Sequence, residues 1–188
     1  MNDASILDRL DRLESSEAIR RKLHLYCRGI DRRDAEILRQ TFWPGSRTEY
    51  GVFAGDGLEF ANQICGWMDD GGFAPTQHML GNVALTLDGD VAHTESYLQA
   101  FHHLRREDGT IYDWIVGGRY QDRFERRDGE WRISFRRLIF EWYRDWPDTR
   151  DWADGLMGIN NDTAAIGKRA PDDWLKASAL QADLQPTA

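Results

Sequence analysis

The chain is poor in the residues that announce metal, disulfide or phosphate chemistry. Two cysteines in 188 residues, Cys27 and Cys65, are too few for a disulfide framework and have no metal-ligand spacing. Both fall in predicted helices among apolar neighbours, where a small buried thiol is an ordinary core residue. Gly-rich phosphate loops, His-Glu-x-x-His, Cys-x-x-Cys and Gly-x-Ser-x-Gly are all missing. No apolar run approaches the roughly 20 residues that a membrane span requires. The acidic, polar start Met1-Asn2-Asp3-Ala4-Ser5 has no secretory signal character, so a cytoplasmic location is expected. Concentrated positive charge is also lacking. The net charge is −8, and the clusters Arg20-Arg21-Lys22, Arg105-Arg106 and Arg126-Arg127 are interleaved with acids, which argues against nucleic acid as a partner.

What is present is a globular composition, 41% hydrophobic and 30% charged, in a length suited to one domain with a core and a cavity. Apolar residues recur at helical spacing from Ile6 to Ile30. Ser15-Ser16-Glu17 reads as a break and re-cap, which predicts a short leading helix and a longer second one. Asp34 caps a further helix through about Phe42, stopped by Pro44. Leu58–Met68 is amphipathic and ends at Asp70-Gly71-Gly72. After Gly72 the period changes from 3.6 to 2. Strands are predicted at Thr76–Leu87, Val91–Leu104, Tyr112–Glu125 and Trp131–Phe140, separated by Asp-Gly turns that favour hairpins. A short pair around Thr48–Phe53 is expected at the sheet edge. Helices followed by a meander give an α+β fold, with helices packed on the concave face of one curved sheet. The domain is expected to span residues 1–145. Residues 146–188 read as a polar tail, loop-rich except for Asp172–Ala182, that serves as a lid, a subunit contact or a loose end.

Eight tryptophans exceed what a small core normally uses, which suggests a cavity for a flat apolar ligand. Strand parity sorts the candidates for its walls. On Tyr112–Phe124 the even positions are largely apolar, so Trp114 and Tyr120 point inward. A three-residue loop Glu107-Asp108-Gly109 sets His102 opposite Trp114 on the inner side, the favoured register. A two-residue turn would put His103 there instead. His24 and His93 read as surface residues. His78 and Asp31 are the candidates for proton transfer. A buried imidazole accepts a proton well when a carboxylate fixes its tautomer through the other nitrogen. Taken singly, each also reads as a core histidine and a helix-end turn residue. Tyr26, Tyr50, Tyr97 and Tyr120 could each donate a hydrogen bond to a developing oxyanion from a dry site. Substrate contacts are expected from Tyr120, Tyr97, Trp114, Phe53, Leu98 and Trp67, with no metal.

The segment Tyr26-Cys27-Arg28-Gly29-Ile30-Asp31 at a helix end, followed by Thr76-Gln77-His78 on a strand, resembles the Asp/His pair of the SnoaL-like branch of the nuclear transport factor 2-like superfamily. Its motifs look most like those of scytalone dehydratase and bile acid 7α-dehydratase. Asp128-Gly129-Glu130-Trp131 is a further landmark, and the likeness runs from about Glu14 to Tyr143. The resemblance implies a cone of helices wrapped by a curved mixed sheet, assembled as a homodimer or homotrimer. It implies catalysis without a cofactor, with His78 as base, Asp31 orienting it, and Tyr26, Tyr50 and His102 assisting. It further implies a lyase that eliminates water or another small fragment from an aromatic or polycyclic molecule, in aromatic compound catabolism. Isomerases, epoxide hydrolases and the small subunits of ring-hydroxylating dioxygenases share the fold and are the alternatives. Ala100 stands where the bile acid enzyme has an acid, and Ile30 where scytalone dehydratase has a tyrosine. That enzyme's Ser/Asn pair maps to Gly118 and Tyr120. The leaving-group machinery therefore differs from both.

Overall fold

The computed structural model describes residues 3–147 and 168–173. Helix α1 (Asp3–Arg32) leads, followed by the short α2 (Ala35–Arg39), strands β1 (Phe42–Glu49) and β2 (Ala54–Asp56), and helix α3 (Gly57–Asp70). Four long strands complete the chain: β3 (Phe73–Asp88), β4 (Val91–Arg105), β5 (Ile111–Arg127) and β6 (Glu130–Pro147). One six-stranded sheet has the order β2-β1-β6-β5-β4-β3. All neighbours are antiparallel except β1 and β6, which run parallel. The sheet is therefore mixed, and the expected α+β arrangement holds.

The Asp-Gly turns shape the meander as expected. Asp128 and Gly129 both have positive φ between β5 and β6, as a twist-matched two-residue hairpin requires. The β4–β5 connection sets His102 opposite Trp114, the register of the three-residue loop. A bulge follows at Gly117/Gly118, where Trp142 lies so close over Gly117 that a β-carbon there would collide with its indole.

Several boundaries differ from the sequence reading. Strand β6 runs to Pro147 rather than Phe140, past the expected domain end at residue 145. The edge pair lies at Phe42–Glu49 and Ala54–Asp56 rather than around Thr48–Phe53, and two helix boundaries move. The serines do not break α1: Ser16 Oγ donates to the Arg12 carbonyl one turn back, so the helix runs through. Helix α2 ends at Arg39, not near Phe42. Thr41 Oγ1 donates to the Leu38 carbonyl, and Phe42 opens β1. Pro44 then sits within β1 where the register against β6 shifts, a position at which a missing N–H is tolerated. Asp34 does cap α2, accepting from Ile37 N at 3.1 Å, and Asp56 caps α3. The stretch Asp172–Ala182, the exception in the loop-rich tail, lies outside the described residues beyond Asp173.

The core fills the space between α1, α3 and the concave face. Ile19, Leu23, Tyr26 and Ile30 come from α1, Phe60, Ala61 and Met68 from α3, and Leu98, Ala100, Tyr120, Phe124 and Ile133 from the sheet. Burying such side chains contributes about 1.5–3 kcal/mol each. This packing fixes the last turns of α1 against β3, and those turns carry Asp31. The first turns of α1 leave Ile6, Leu7, Leu10 and Leu13 exposed.

Candidate active site

Asp31 lies in the last turn of α1, where the helix macrodipole disfavours a carboxylate. Three donors from β3 offset that cost. Thr76 Oγ1 donates to Oδ1 at 3.0 Å and the His78 backbone N–H to Oδ2 at 2.9 Å. His78 Nδ1 meets Oδ1 at 2.7 Å. The side chains of Asp31 and His78 are 9% and 8% exposed. An ionised carboxylate only accepts, so Nδ1 carries a proton, and the neutral imidazole in this tautomer keeps its lone pair on Nε2. The sequence pattern Thr-x-His makes this possible, because alternate residues of a strand share a face and both reach the same carboxylate.

His102 stands beside this pair. Its ring packs edge-on against His78 with centroids 5.4 Å apart, and it also touches Phe73 and Trp114. Its Nδ1 lies 3.2 Å from the Trp114 carbonyl, to which it donates. Burial, with His78 beside it, pulls its pKa down to about 4, against the favourable pull of the Trp114 carbonyl and Asp31. His102 is therefore a neutral imidazole at pH 7 rather than a proton donor. A stability consequence follows. The unfolded chain binds this proton near pH 6.5, the folded chain only near 4, so stability is lost as pH falls through that window. The loss attributable to His102 levels off at about 3 kcal/mol. Urea unfolding at pH 7 and pH 4 measures it, and His102→Gln is expected to flatten that part of the profile.

A second polar network lies deeper in the core. Tyr26 Oη and Tyr50 Oη are 2.7 Å apart. The Arg136 guanidinium sits between the rings of Tyr26 and Tyr120, 4.0 and 4.1 Å from their centroids. Arg136 forks onto Asp122 through Nε and Nη2, both at 2.7 Å, and neither side chain is exposed. Arg136 Nη1 is buried without a hydrogen-bond partner among the described residues. Burial pushes all three tyrosines up, and the Arg136 charge opposes that shift, so the hydroxyls stay protonated as donors. Sequence reasoning missed Arg136 and Asp122. The signal was available: Asp122 belongs to the inward, even-numbered row of β5, and a buried acid demands an inward cation on the next strand.

A cavity of about 330 Å³ touches the Asp31/His78 pair, lined by His24, Cys27, Arg28, Arg32, Gln77 and Leu80 besides the pair itself. The expected aromatic residues do not line it. Tyr26, Tyr50, Tyr120 and Leu98 join the packed core, with Phe53 against it. Trp67 is 43% exposed and leans on Phe53. Tyr97 is a correction. It pairs with Arg119 on the row opposite Leu98, Ala100 and His102, and is 55% exposed on the outer face. An aromatic side chain on the wrong strand parity cannot reach the concave side. His24, read as a surface residue, is exposed but borders the cavity. His103 also faces the outer side, 2.7 Å from Asp113 and buried there. Among the described residues no group of three or more His, Cys, Asp or Glu side chains is placed to hold a metal ion. No described helix is long and apolar enough to cross a membrane.

A search of curated proteins returned no significant match. Solved structures give strong similarity in fold. The hexachlorocyclohexane dehydrochlorinase LinA type 2 has a TM-score of 0.69 at 22% identity, covering 80% of this chain and 99% of its own. A protein of Novosphingobium aromaticivorans described as a scytalone dehydratase gives 0.63 at 23% identity, covering 72% and 90%. A protein of the same organism described as the β subunit of an aromatic-ring-hydroxylating dioxygenase gives 0.57 at 20%, covering 71% and 93%. The SnoaL-like domain family matches residues 11–137, a span that runs from α1 into the first half of β6 and includes both Asp31 and His78. The chain is a member of the SnoaL-like family, with the cone fold of the nuclear transport factor 2-like superfamily.

Proposed function

We propose that the chain is a cofactor-independent lyase acting on a small, largely apolar aromatic molecule. The observation that carries this reading is the 2.7 Å contact between Asp31 and His78 Nδ1, with Asp31 held by two further donors. In that arrangement Nε2 takes a proton from a carbon or hydroxyl of the substrate. The electron pair left behind forms the new π bond and expels the leaving group from the adjacent atom. Asp31 stabilises the imidazolium that results and keeps the ring aimed. General-base catalysis of this kind supplies about 10²–10⁴-fold, and positioning supplies more. Tyr26 and Tyr50, bonded to each other at 2.7 Å deeper in the core, do not line the cavity beside His78, so the donor to the departing group is not assigned to them. His102 contributes shape and a neutral acceptor nitrogen.

The fold neighbours named as a dehydrochlorinase and as a dehydratase support an elimination reaction. The fragment lost is water, a halide or an aldehyde. Residues 168–173 dock beside the end of α1, which supports the reading of the C-terminal region as a cover at the mouth. The exposed apolar residues of α1 support self-association. The test is a screen of aromatic alcohols, halides and β-hydroxy carbonyl compounds with analysis of every product. The reading expects loss of a fragment that partitions to one product only. An isomeric product with no lost fragment would reassign the chain to the isomerases.

A further inference from the structure

The mouth beside His78 carries more positive charge than proton abstraction from a neutral molecule needs. Arg28 stands one turn before Asp31 on α1, and both line the same cavity with His78 and Arg32. The one carboxylate in that lining, Asp31, is already committed to Thr76 and His78. Arg32 Nη1 donates to a neutral acceptor, the Lys168 carbonyl, at 3.2 Å. The counter-ion of Arg28 comes from 145 positions along the chain: Asp173 Oδ2 lies 2.6 Å from Nη2. That pair is 22% and 13% exposed, so its charges are only partly screened by water.

Asp173 arrives on a short segment clamped just before it. Ala170 N donates to the Arg32 carbonyl at 2.8 Å. Arg169 bonds Asp69 at 2.6 Å and the Phe73 carbonyl at 3.1 Å. Asp173 itself does not line the cavity, whereas Arg28 does. A carboxylate therefore already rests on this guanidinium, and the contacts of the described residues that bring it there are polar. The rest of the lining is Cys27, Leu80, Gln77 and the two histidines His24 and His78, a mixed wall against which a single ring can lie. A volume of about 330 Å³ lies at the small end of ligand pockets.

We propose that Arg28 receives the carboxylate of a small, single-ring aromatic acid, and that Asp173 is the internal counter-ion which that ligand displaces. The inference rests on the reading of His78 as the catalytic base, since it names the substrate class of the same site. A planar guanidinium is the side chain best matched to a carboxylate, and anchoring the acid there would leave the ring beside His78. Exchange of one carboxylate for another keeps the charge at the mouth balanced, so ligand entry does not leave Arg28 half-buried and uncompensated.

The test uses the full chain with benzoate and its neutral isostere benzamide, followed through the NMR methyl signals of Leu80 in the cavity wall. In the wild type benzoate is expected to bind and benzamide to bind at least about tenfold more weakly. Asp173→Asn should tighten benzoate about five- to tenfold while leaving benzamide unchanged. Arg28→Gln should erase the preference for benzoate. Equal affinity of the two probes for the wild type, or an Asp173→Asn variant that binds benzoate no better, overturns the proposal. The Leu80 signal does not pass through His78, so turnover retained by His78→Ala would remove the base and leave this binding result standing.

Discussion

Replacing Arg136 by methionine lowers the free energy of unfolding by about 3–5 kcal/mol. The reason is the carboxylate left behind. Asp122 has no solvent exposure in its side chain, and its only other described side-chain partner is Thr94 Oγ1 at 3.4 Å. Burial alone would pull the pKa of Arg136 down, but the charge and hydrogen bonds of Asp122 push it well above its ordinary value. The guanidinium is thus a permanent cation, and its loss strands a buried anion. It also removes the plate stacked between Tyr26 and Tyr120. Urea unfolding measures the loss as a fall in midpoint at unchanged slope. The double variant Asp122→Leu/Arg136→Met should recover most of it, because a buried ion pair exchanged for apolar residues of similar volume is close to neutral. A double variant as unstable as Arg136→Met alone would show that the pair itself, and not the stranded charge, carries the stability.

Asp31→Asn is the second large effect, and it falls on activity. Asparagine keeps the size of the side chain but replaces one acceptor oxygen by an NH₂ group. Three donors now converge on Asp31, and one amide oxygen cannot serve them all. The amide NH₂ set against His78 favours the tautomer protonated at Nε2, in which the base has lost its lone pair. Turnover should fall about 10²–10⁴-fold with little change in KM, since the lost interaction matters in the transition state. Steady-state kinetics on the product-forming substrate measures this. Thr76→Ala removes one of the three donors without touching the His78 contact, so a much smaller loss is expected there.

Most of the sheet was legible before any coordinates. Alternation between Asp-Gly turns marks each long strand, and the hairpin loop at Glu107–Gly109 decides that His102 and not His103 faces His78. Local signals carry this information, because hairpin register is set by a few turn residues. The pairing of β1 with β6 was not legible. Thr48 meets Arg136 and Glu49 meets Arg137 across almost ninety positions of sequence, and no local pattern encodes which strand a short segment joins in parallel. The serines in α1 misled for a related reason. Ser16 is as good a cap as a tolerated helix residue, and only its bond back to Arg12 decides.

The candidate site divides in the same way. Asp31 and His78 were readable from motif, and their contact is one that chain direction and strand pleat make possible. Tyr97 is aromatic but lies outside the site, because its strand parity sets it on the row opposite His102. Arg136 and Asp122 were missed because charged residues on strands ordinarily face water. Arg28 and Arg32 near the mouth were invisible as a pair with Lys168–Asp173, since that contact joins segments about 140 positions apart. The pattern is physical: alternation reports which way a side chain points, not what fills the space it points into.

The measurement that bears most directly on the account is the turnover of His78→Ala beside the wild type, on the substrate found by the elimination screen and with folding checked by near-UV circular dichroism. Removal of the general base predicts a fall of about 10²–10⁴-fold in kcat in a folded protein. A folded His78→Ala enzyme that turns over at the wild-type rate would contradict the central claim.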